Sequence, residues 1–226
     1  MQYLPSHRTI ISMKLAVLVS FLLCFACSGI SAQDKSRETF VLVREEPPVF
    51  IYERWIIFPE SNPPVEAREV KCVFDITGSI YDLLPLLKTE ANVKVWQTHV
   101  ESFTFFPKPD TTMWQEYSYH DIPWPVSDQD HFLEYHITEP KKGEQLFISF
   151  KSKADDKLAP KKKGVTRMIL SGSWTVDKIA PNQSRITYRI LSMPIGIPRL
   201  FTDPVIRSNL MSTIHALMKL AEEKNQ

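Results

Sequence analysis

Alternation of apolar and polar residues predicts β-strands along most of this chain. The alternation is clearest in residues 68–76, where Val70, Cys72, Phe74 and Ile76 fall on one face of an extended segment. Proline, glycine and charged residues fill the intervening segments, which is typical of turns. Eight further strands are predicted at residues 40–43, 49–58, 98–106, 112–121, 131–138, 145–151, 165–177 and 184–192.

Helical spacing interrupts the strands once. Residues 80–87 carry apolar side chains three and four positions apart, and they predict a short helix that Ser79 can cap. Pro85 predicts that this helix breaks or ends early. Trp96 then falls in a loop or in a second short helix.

A long amphipathic helix closes the chain. Asp203 is positioned to cap it, and Pro204 fits its first turn. Successive hairpin-linked strands that end in a long helix define an α+β architecture, in which a curved antiparallel sheet wraps around that helix. Such an arrangement encloses space that suits an apolar ligand. The apolar stripe of the helix consists of Ile206, Leu210, Ile214, Leu217 and Ala221.

The N-terminal residues have the pattern of an export signal. Lys14 precedes an apolar run at residues 15–26, and small residues up to Ala32 provide a cleavage site. The run is too short to span a bilayer comfortably. We therefore expect a signal peptide at residues 1–32 and an exported protein, either periplasmic or secreted.

Three variants of this N-terminal interpretation stay open. They are a retained membrane anchor, lipidation at Cys27, and a true start at Met13. After cleavage, we expect residues 33–39 to be mobile and residues 40–226 to form the folded domain.

Composition is that of an ordinary globular domain. The 226 residues are 43% hydrophobic, enough for one sizeable core, and the formal net charge is +1. A charge this close to zero gives no electrostatic reason to expect nucleic acid as a partner. Cys72 would be the one cysteine of the mature chain, so we expect no internal disulfide and a buried thiol. We expect a monomer without a cofactor.

Three motifs carry a resemblance to a known family. Residues 123–130 read Pro-Trp-Pro-Val-Ser-Asp-Gln-Asp, similar to a proline-aromatic-proline run followed by Ser-Asp-Arg-Asp. The second motif is Val-Thr-Arg at residues 165–167 with Gly-Ser-Trp at 172–174, and the third is Pro-Ile-Gly-Ile-Pro at 194–198. With these motifs in this order, residues 40–223 resemble a START domain, the StAR-related lipid-transfer fold of the Bet v 1-like, helix-grip superfamily.

The chain departs from the family pattern in three places. Gln129 stands where the family usually has arginine, so any ion pair of that arginine is missing. Asp203 stands where asparagine is common. The helix that opens a full START domain has little room between Ala32 and Phe40, which indicates a minimal domain of bacterial type.

The resemblance implies binding without turnover. START domains hold a sterol, phospholipid or other apolar molecule between the curved sheet and the C-terminal helix. Glu116 falls at the position of an acid found in some members, and Tyr135 falls where an arginine would be. We hypothesise that Glu116 and Tyr135 anchor a ligand hydroxyl, with Arg167 as a source of charge. The candidate ligand-binding residues are Trp114, Glu116, Ser118, Leu133, Tyr135, Arg167, Leu210 and Ile214.

Other interpretations stay open. If Glu116 faces solvent, then Tyr117 and Tyr119 would line the interior instead. The superfamily also includes cyclases and hydrolases, in which Glu116 would be a general acid or base on an apolar substrate. A third interpretation is an exported, partner-binding domain whose cavity is closed.

Two further features, the histidines and the lysine runs, are interpreted as ordinary surface residues. Four histidines lie on neighbouring predicted strands, but His131 and His136 point to opposite faces, which argues against a shared metal. The lysine run at residues 161–163, with Lys141 and Lys142, is typical of solvated turns and would allow only weak, transient contact with an anionic membrane.

Overall fold

The computed structural model of the protein describes residues 39–59, 61–123, 126–193 and 199–225. The helices are α1 (Leu83–Lys88), α2 (Glu90–Trp96) and α3 (Arg199–Lys224). The strands are β1 (Val41–Glu46), β2 (Val49–Ile57), β3 (Glu66–Thr77), β4 (Val100–Pro107), β5 (Met113–His120), β6 (Gln129–Lys141), β7 (Gln145–Ser152), β8 (Thr166–Arg167), β9 (Leu170–Ala180) and β10 (Gln183–Ser192).

The strands form one curved sheet in the order β1-β2-β3-β10-β9-β7-β6-β5-β4, and β8 adds to β6. All pairs along this path are antiparallel, whereas β8 runs parallel to β6. Helix α3 packs against β2, β3 and the two short helices. The predicted α+β class and the helix-grip arrangement are therefore confirmed.

The alternating run in β3 packs into the core as predicted. Val70, Cys72, Phe74 and Ile76 are all buried, and the Cys72 thiol is free. Burial, and secondly the negative charge of Glu53, raises the pKa of this thiol to about 12. Cys72 is therefore an inert apolar side chain at neutral pH, because only the thiolate is reactive.

Helix α3 begins earlier than predicted, at Arg199, so Asp203 is not its cap. The Asp203 carboxylate instead accepts a hydrogen bond of 2.8 Å from Arg68 on β3. One turn further, Arg207 donates two hydrogen bonds of 3.0 and 2.7 Å to Glu53 on β2. We call these two pairs the ionic clamp of α3, because they tie its first half to the sheet.

From residue 203 onward, the apolar packing of α3 increases toward its second half. Ile214 and Leu217 are fully buried, whereas Leu210 is half-buried and Ile206 is 36% exposed. The predicted apolar stripe is thus wrong for its first turns. The reason is that the ionic clamp, rather than the core, holds that part of the helix.

The segment predicted as one strand at residues 165–177 is two strands, β8 and β9. Its first part turns toward β6, where the Thr166 and Met168 amides donate to the carbonyls of Asp128 and Asp130. The chain must leave these bonds before β9 can pair with β7 and β10, so the strand divides after Arg167.

The first helix also differs in detail. It begins at Leu83, after Ser79, and Pro85 lies in its first turn. A proline there needs no N–H donor, so it neither breaks nor shortens α1. Trp96 ends α2, which confirms the second short helix rather than the loop.

Several expectations concern residues outside those that the structure describes. They include the signal peptide at residues 1–32, nearly all of the segment at 33–39, Trp124 and Pro125 of the first motif, and residues 194–198. Among the helices of the described residues, none combines the length and apolar character that a membrane crossing requires.

Candidate functional site

Strands β5 and β6 supply the polar centre of the interior. In their antiparallel register Trp114 lies opposite Tyr135, and Glu116 lies opposite Leu133. Because side chains alternate along a strand, these residues share the inner face of the sheet. The expectation that Glu116 and Tyr135 point to the same side is therefore confirmed.

Glu116 is buried, with 2% of its surface exposed. The Tyr135 hydroxyl donates a 2.9 Å hydrogen bond to its Oε1, and His131 Nε2 lies 3.3 Å from the same oxygen. Burial first, and then the charge of Glu116, raises the pKa of Tyr135 well above its usual value, so its hydroxyl stays protonated. The solvent-facing alternative for Glu116 is wrong.

Aromatic rings surround this polar centre. Trp114 stacks on Tyr135 with ring centroids 4.4 Å apart, and Phe150 lies 5.3 Å from Tyr135. On β9 and β10, Trp174 and Tyr188 stack at 3.9 Å. Gly172 lets Phe150 approach closely, since a Cβ there would lie 2.5 Å from the Phe150 ring and 2.1 Å from a backbone oxygen.

An interior cavity of about 40 Å³ lies against these groups. Of the predicted ligand-binding residues, Glu116, Leu133 and Tyr135 line it, together with His131 and Gln97. A volume of this size holds about three water molecules, and a drug-sized ligand needs roughly ten times more. The cavity is therefore closed to such a ligand in the described form of the protein, which is the feature expected of the partner-binding alternative.

Four other predicted residues lie outside the wall of this cavity. Trp114 and Ser118 are fully buried on the same face as Glu116, and Ile214 is fully buried in the core. Leu210 is half-buried against that core. None of these four residues lines the cavity in this closed form.

Arg167 does not supply charge to Glu116, so that expectation is wrong. Its guanidinium donates to both oxygens of Asp130, at 2.6 and 2.9 Å, and to the Ala159 carbonyl at 3.1 Å. Asp130 lies next to His131 in β6 and faces the other side of the sheet. The short strand β8 pairs with β6 so that Arg167 lies opposite Asp130, and this register places both side chains on the outer face, away from the interior.

The same outer face holds the two tyrosines of β5. The Tyr117 hydroxyl donates to Asp130 at 3.0 Å, and the Tyr119 hydroxyl donates to Asp128 at 2.5 Å. Tyr117 packs with Ala159 of the connector that precedes β8. The alternative in which these tyrosines line the interior is therefore wrong. Asp130 has its arginine partner from β8, although Gln129 stands beside it.

His131 is the functional candidate that the sequence analysis missed. It was assigned to the surface, yet it is 5% exposed and lines the cavity. Its Nδ1 is buried and has no hydrogen-bond partner among the described residues. Alternation along the strand indicates its position, because His131, Leu133 and Tyr135 are two residues apart and therefore share one face of β6.

The histidines do not form a metal site in the described part of the chain, where no group of three His, Cys, Asp or Glu residues could hold an ion. His120 lies beside His131, with ring centroids 5.2 Å apart. Burial, and secondly His131, lowers the pKa of His120 to about 3, so it is neutral at physiological pH. His136 lies on the outer face, 3.6 Å from Glu134.

A large, open antiparallel sheet that curves about a long C-terminal helix, with a polar centre in an apolar interior, defines a helix-grip protein. Comparison with known proteins shows which structures share this fold. No protein-family model matches the chain, and no curated protein sequence matches it either.

Solved structures do match. A STAR-related lipid transfer protein from Xanthomonas axonopodis is 20% identical, with a TM-score of 0.66 over 80% of this chain and 98% of that one. Human StAR-related lipid transfer protein 5 is 11% identical, with a TM-score of 0.68 over 97% and 100%. The Zhui aromatase/cyclase from Streptomyces is 11% identical, with a TM-score of 0.50 over 71% and 96%. The chain therefore has the START, Bet v 1-like fold.

Proposed function

We propose that this protein binds an apolar ligand, such as a lipid or a sterol-like molecule, between its sheet and α3, without chemical turnover. The observation that carries the proposal is the buried Glu116–Tyr135 pair, which lines an interior cavity whose other walls, apart from His131 and Gln97, are aromatic and aliphatic. A few polar groups inside an apolar pocket are what fix the orientation of an otherwise hydrophobic ligand. The names of the lipid-transfer proteins with this fold support the same class of ligand.

Binding requires the closed form to open. The cavity of about 40 Å³ is too small for a lipid, so the helix and the sheet must separate locally. The first half of α3 is the part that can move at the smallest apolar cost, because in residues 203–210 none of the side chains is fully buried. Breaking the ionic clamp of α3 would release it, whereas Ile214 and Leu217 keep the second half in the core.

The test is recovery of a ligand. Protein purified from its own host is analysed by native mass spectrometry, and its organic extract is analysed for lipids. In parallel, a lipid panel is screened for thermal stabilisation, since a ligand that binds only the folded state raises Tm. Recovery of no apolar molecule together with no Tm shift from any lipid would overturn the proposal.

The anchoring role of the polar pair has its own test. The double variant Glu116→Ala with Tyr135→Phe should bind the recovered ligand about five- to a hundredfold more weakly, because about 1–3 kcal/mol is lost when a buried polar partner is removed. The matched control is Tyr119→Phe, which removes a hydroxyl from the outer face of the same strand. Unchanged affinity in the double variant would exclude the anchoring role.

An enzyme acting on an apolar substrate is the second candidate. The specific observation in its favour is the cluster of a buried carboxylate, a histidine and a tyrosine, which are the groups used in general acid–base catalysis. The aromatase/cyclase with this fold supports the same interpretation. Incubation with the recovered ligand separates the two, because a binder returns it at unchanged mass, and Glu116→Gln would abolish any product formed by an enzyme.

The proposal also includes the expectations about export, oligomeric state and membrane contact. The protein is exported as a monomer, with cleavage near Ala32, which N-terminal sequencing of the mature product and analytical ultracentrifugation would test. Transient membrane contact is assigned to the lysine run at residues 161–163 together with Lys141 and Lys142. Flotation with anionic and neutral vesicles tests this contact, and equal recovery on both would exclude it.

A further inference from the structure

Tyr188 of β10 presents a polar atom to the interior cavity. The residue lines the cavity wall, and part of its side-chain surface stays open although the residue lies deep in the protein. Its hydroxyl makes no hydrogen bond to any residue in the described part of the chain, and it is not sealed from the cavity as Nδ1 of His131 is. Burial is the main cause that raises the pKa of Tyr188 above its usual value, so the hydroxyl stays protonated.

The fold holds the ring of Tyr188 but does not use its hydroxyl. The ring stacks on Trp174 with centroids 3.9 Å apart and on Phe150 with centroids 6.3 Å apart, and β10 lies between β3 and β9 in the middle of the sheet. Buried polar groups in folded proteins are nearly always paired, and one left alone destabilises the protein. A rigidly held hydroxyl that the fold does not pair is therefore available to a ligand that fills the cavity.

Gln97 brings a second polar side chain to the cavity wall. Its backbone amide donates to the Val93 carbonyl at the end of α2, whereas its side-chain amide has no partner among the described residues. A phenolic hydroxyl and a primary amide can each donate and accept a hydrogen bond. Together they can pair with a ligand hydroxyl or with a ligand carbonyl, so this wall can recognise an oxygen-bearing group of either kind.

The charges around the cavity restrict that group to a neutral one. Among the described residues that line the cavity none is a lysine or an arginine, and the acid is Glu116. A protonated His131 would not change this balance, because its Nε2 lies 3.3 Å from the Glu116 carboxylate and would be paired with it. A ligand carboxylate or phosphate would thus lose its water without gaining a cation, which is costly in an apolar interior.

We propose that Tyr188 is a specificity-determining residue, which binds a neutral hydroxyl or carbonyl group at the buried end of an otherwise apolar ligand, with Gln97 as the second partner. Ligands whose buried end is a carboxylate or a phosphate are disfavoured at this wall. This inference rests on the proposed binding function and names the ligand class of the same site. A plain hydrocarbon would cover the Tyr188 hydroxyl and leave it unpaired, so it binds at a disadvantage that the hydroxyl itself creates.

The experiment measures how much the Tyr188 hydroxyl contributes to the binding of each polar group. One set of ligands is dodecanol, a dodecanone, dodecanoate and dodecane, and the second set is fluorenol, fluorenone, fluorenecarboxylate and fluorene. Affinities of the native protein and of Tyr188→Phe form a double-mutant cycle, which separates the contact from differences in ligand hydrophobicity. The affinities of the alcohol and the ketone, each relative to the hydrocarbon, should fall by about five- to a hundredfold in Tyr188→Phe. In the native protein the carboxylate should bind more weakly than either.

Tyr188→Phe keeps the stacked ring and removes no hydrogen bond within the described part of the chain, so it should fold. The matched control is Tyr52→Phe on the outer face, where the ring contacts Lys71, and it should leave the relative affinities unchanged. Adding Gln97→Met to Tyr188→Phe should lower the relative affinities further. If the variants do not fold, the order of neutral ligand and carboxylate in the native protein still tests the inference.

The outcomes separate this inference from the proposed function. Relative affinities that do not change in Tyr188→Phe, or a carboxylate bound as tightly as the alcohol by the native protein, would overturn the inference alone. Binding of no compound in either set would count against the proposed function itself.

Discussion

The Tyr135 hydroxyl donates a 2.9 Å hydrogen bond to the Glu116 carboxylate across two neighbouring strands, and both side chains are buried. Nineteen positions separate the two residues in sequence, and the register of β5 with β6 brings them together. Replacing Tyr135 with phenylalanine removes a donor from a buried charge. Tyr135→Phe should lower the free energy of unfolding by about 1–3 kcal/mol, as measured by urea denaturation.

Tyr81→Phe is the control for that substitution. Tyr81 is 44% exposed, and its hydroxyl donates to Glu139 at the surface, where water can replace the lost bond. Its loss of stability should be smaller than that of Tyr135→Phe. Equal losses would show that the Tyr135 bond does not depend on burial.

The ionic clamp of α3 should contribute more than an exposed pair of the same geometry. Arg207 donates twice to Glu53, whose side chain is only 4% exposed, so Arg207→Ala leaves a buried carboxylate underpaired. We expect Arg207→Ala to lower the free energy of unfolding by about 1–3 kcal/mol. Arg185→Ala breaks an equally bidentate pair with Asp75 at the surface, where Arg185 is 51% exposed, and should have a smaller effect. Chemical denaturation of both variants measures the two losses. A loss for Arg185→Ala as large as that for Arg207→Ala would contradict the role of burial.

Gly172 should tolerate no side chain. An added Cβ would lie 2.1 Å from the Arg189 carbonyl oxygen, and the rigid sheet cannot yield by that amount. Gly172→Ala should lower the free energy of unfolding by about 3 kcal/mol or more. At Gly143 nothing lies within 4 Å of the added Cβ, but φ is +71°, so Gly143→Ala should lose only about 1–2 kcal/mol. Thermal unfolding of both variants tests this order, and a stable Gly172→Ala protein would contradict the packing.

His120 should make the protein less stable in mild acid. Its pKa is lowered in the folded state to about 3, mainly by burial, from an ordinary value of 6.5. Between these values the unfolded chain binds a proton that the folded protein does not, so stability falls as the pH falls from about 6.5 toward 3. The expected slope from this one group is about 1.4 kcal/mol per pH unit.

The His120→Gln variant isolates this contribution from that of the carboxylates. Unfolding curves for both proteins are measured across the acidic range, and the difference between them is plotted against pH. The variant should lose less stability than the native protein as the pH falls. A difference that stays constant with pH would mean that His120 does not titrate in this way.

Helix α3 should exchange its amide hydrogens unevenly. Residues 203–210 are attached through the ionic clamp, whereas Ile214, Leu217 and Leu220 are buried in the core. Local opening is easiest where few apolar contacts are lost, so the first half should show lower protection. Hydrogen exchange read by mass spectrometry would measure this, and bound ligand should raise protection of that half. Equal protection along α3 would contradict its assignment as the moving part.

The family resemblance made Glu116 and Tyr135 candidates, and alternation along the strands agrees with the face that they share. Glu116 and Tyr135 lie on runs with period-two alternation, and any residue two or four positions from a core residue shares its face. The same rule would have placed His131 in the interior. It was missed because a histidine is more often found at the surface, and residue type then outweighed position.

Tertiary contacts overrode sequence signals at Arg167 and Asp203. Arg167 was expected beside Glu116, but the pairing of β8 with β6 places Arg167 opposite Asp130, and the guanidinium binds that carboxylate. Asp203 has the residue type of a helix cap, yet it lies inside α3 because Arg68 provides a better partner. No local pattern indicates which distant charge a side chain will meet.

By itself, the sequence determined most of the strands, the closing helix and the buried Cys72, because each depends on spacing along one element, but it left the direction of Glu116 open. Only the tertiary structure decided that Glu116 points inward, that the cavity is closed, that His131 lies in its wall, and that Glu53 and Arg207, 154 positions apart, hold the first half of α3. The physical reason is that alternation specifies which face a residue occupies, whereas the partners on that face come from elements brought together by long-range pairing.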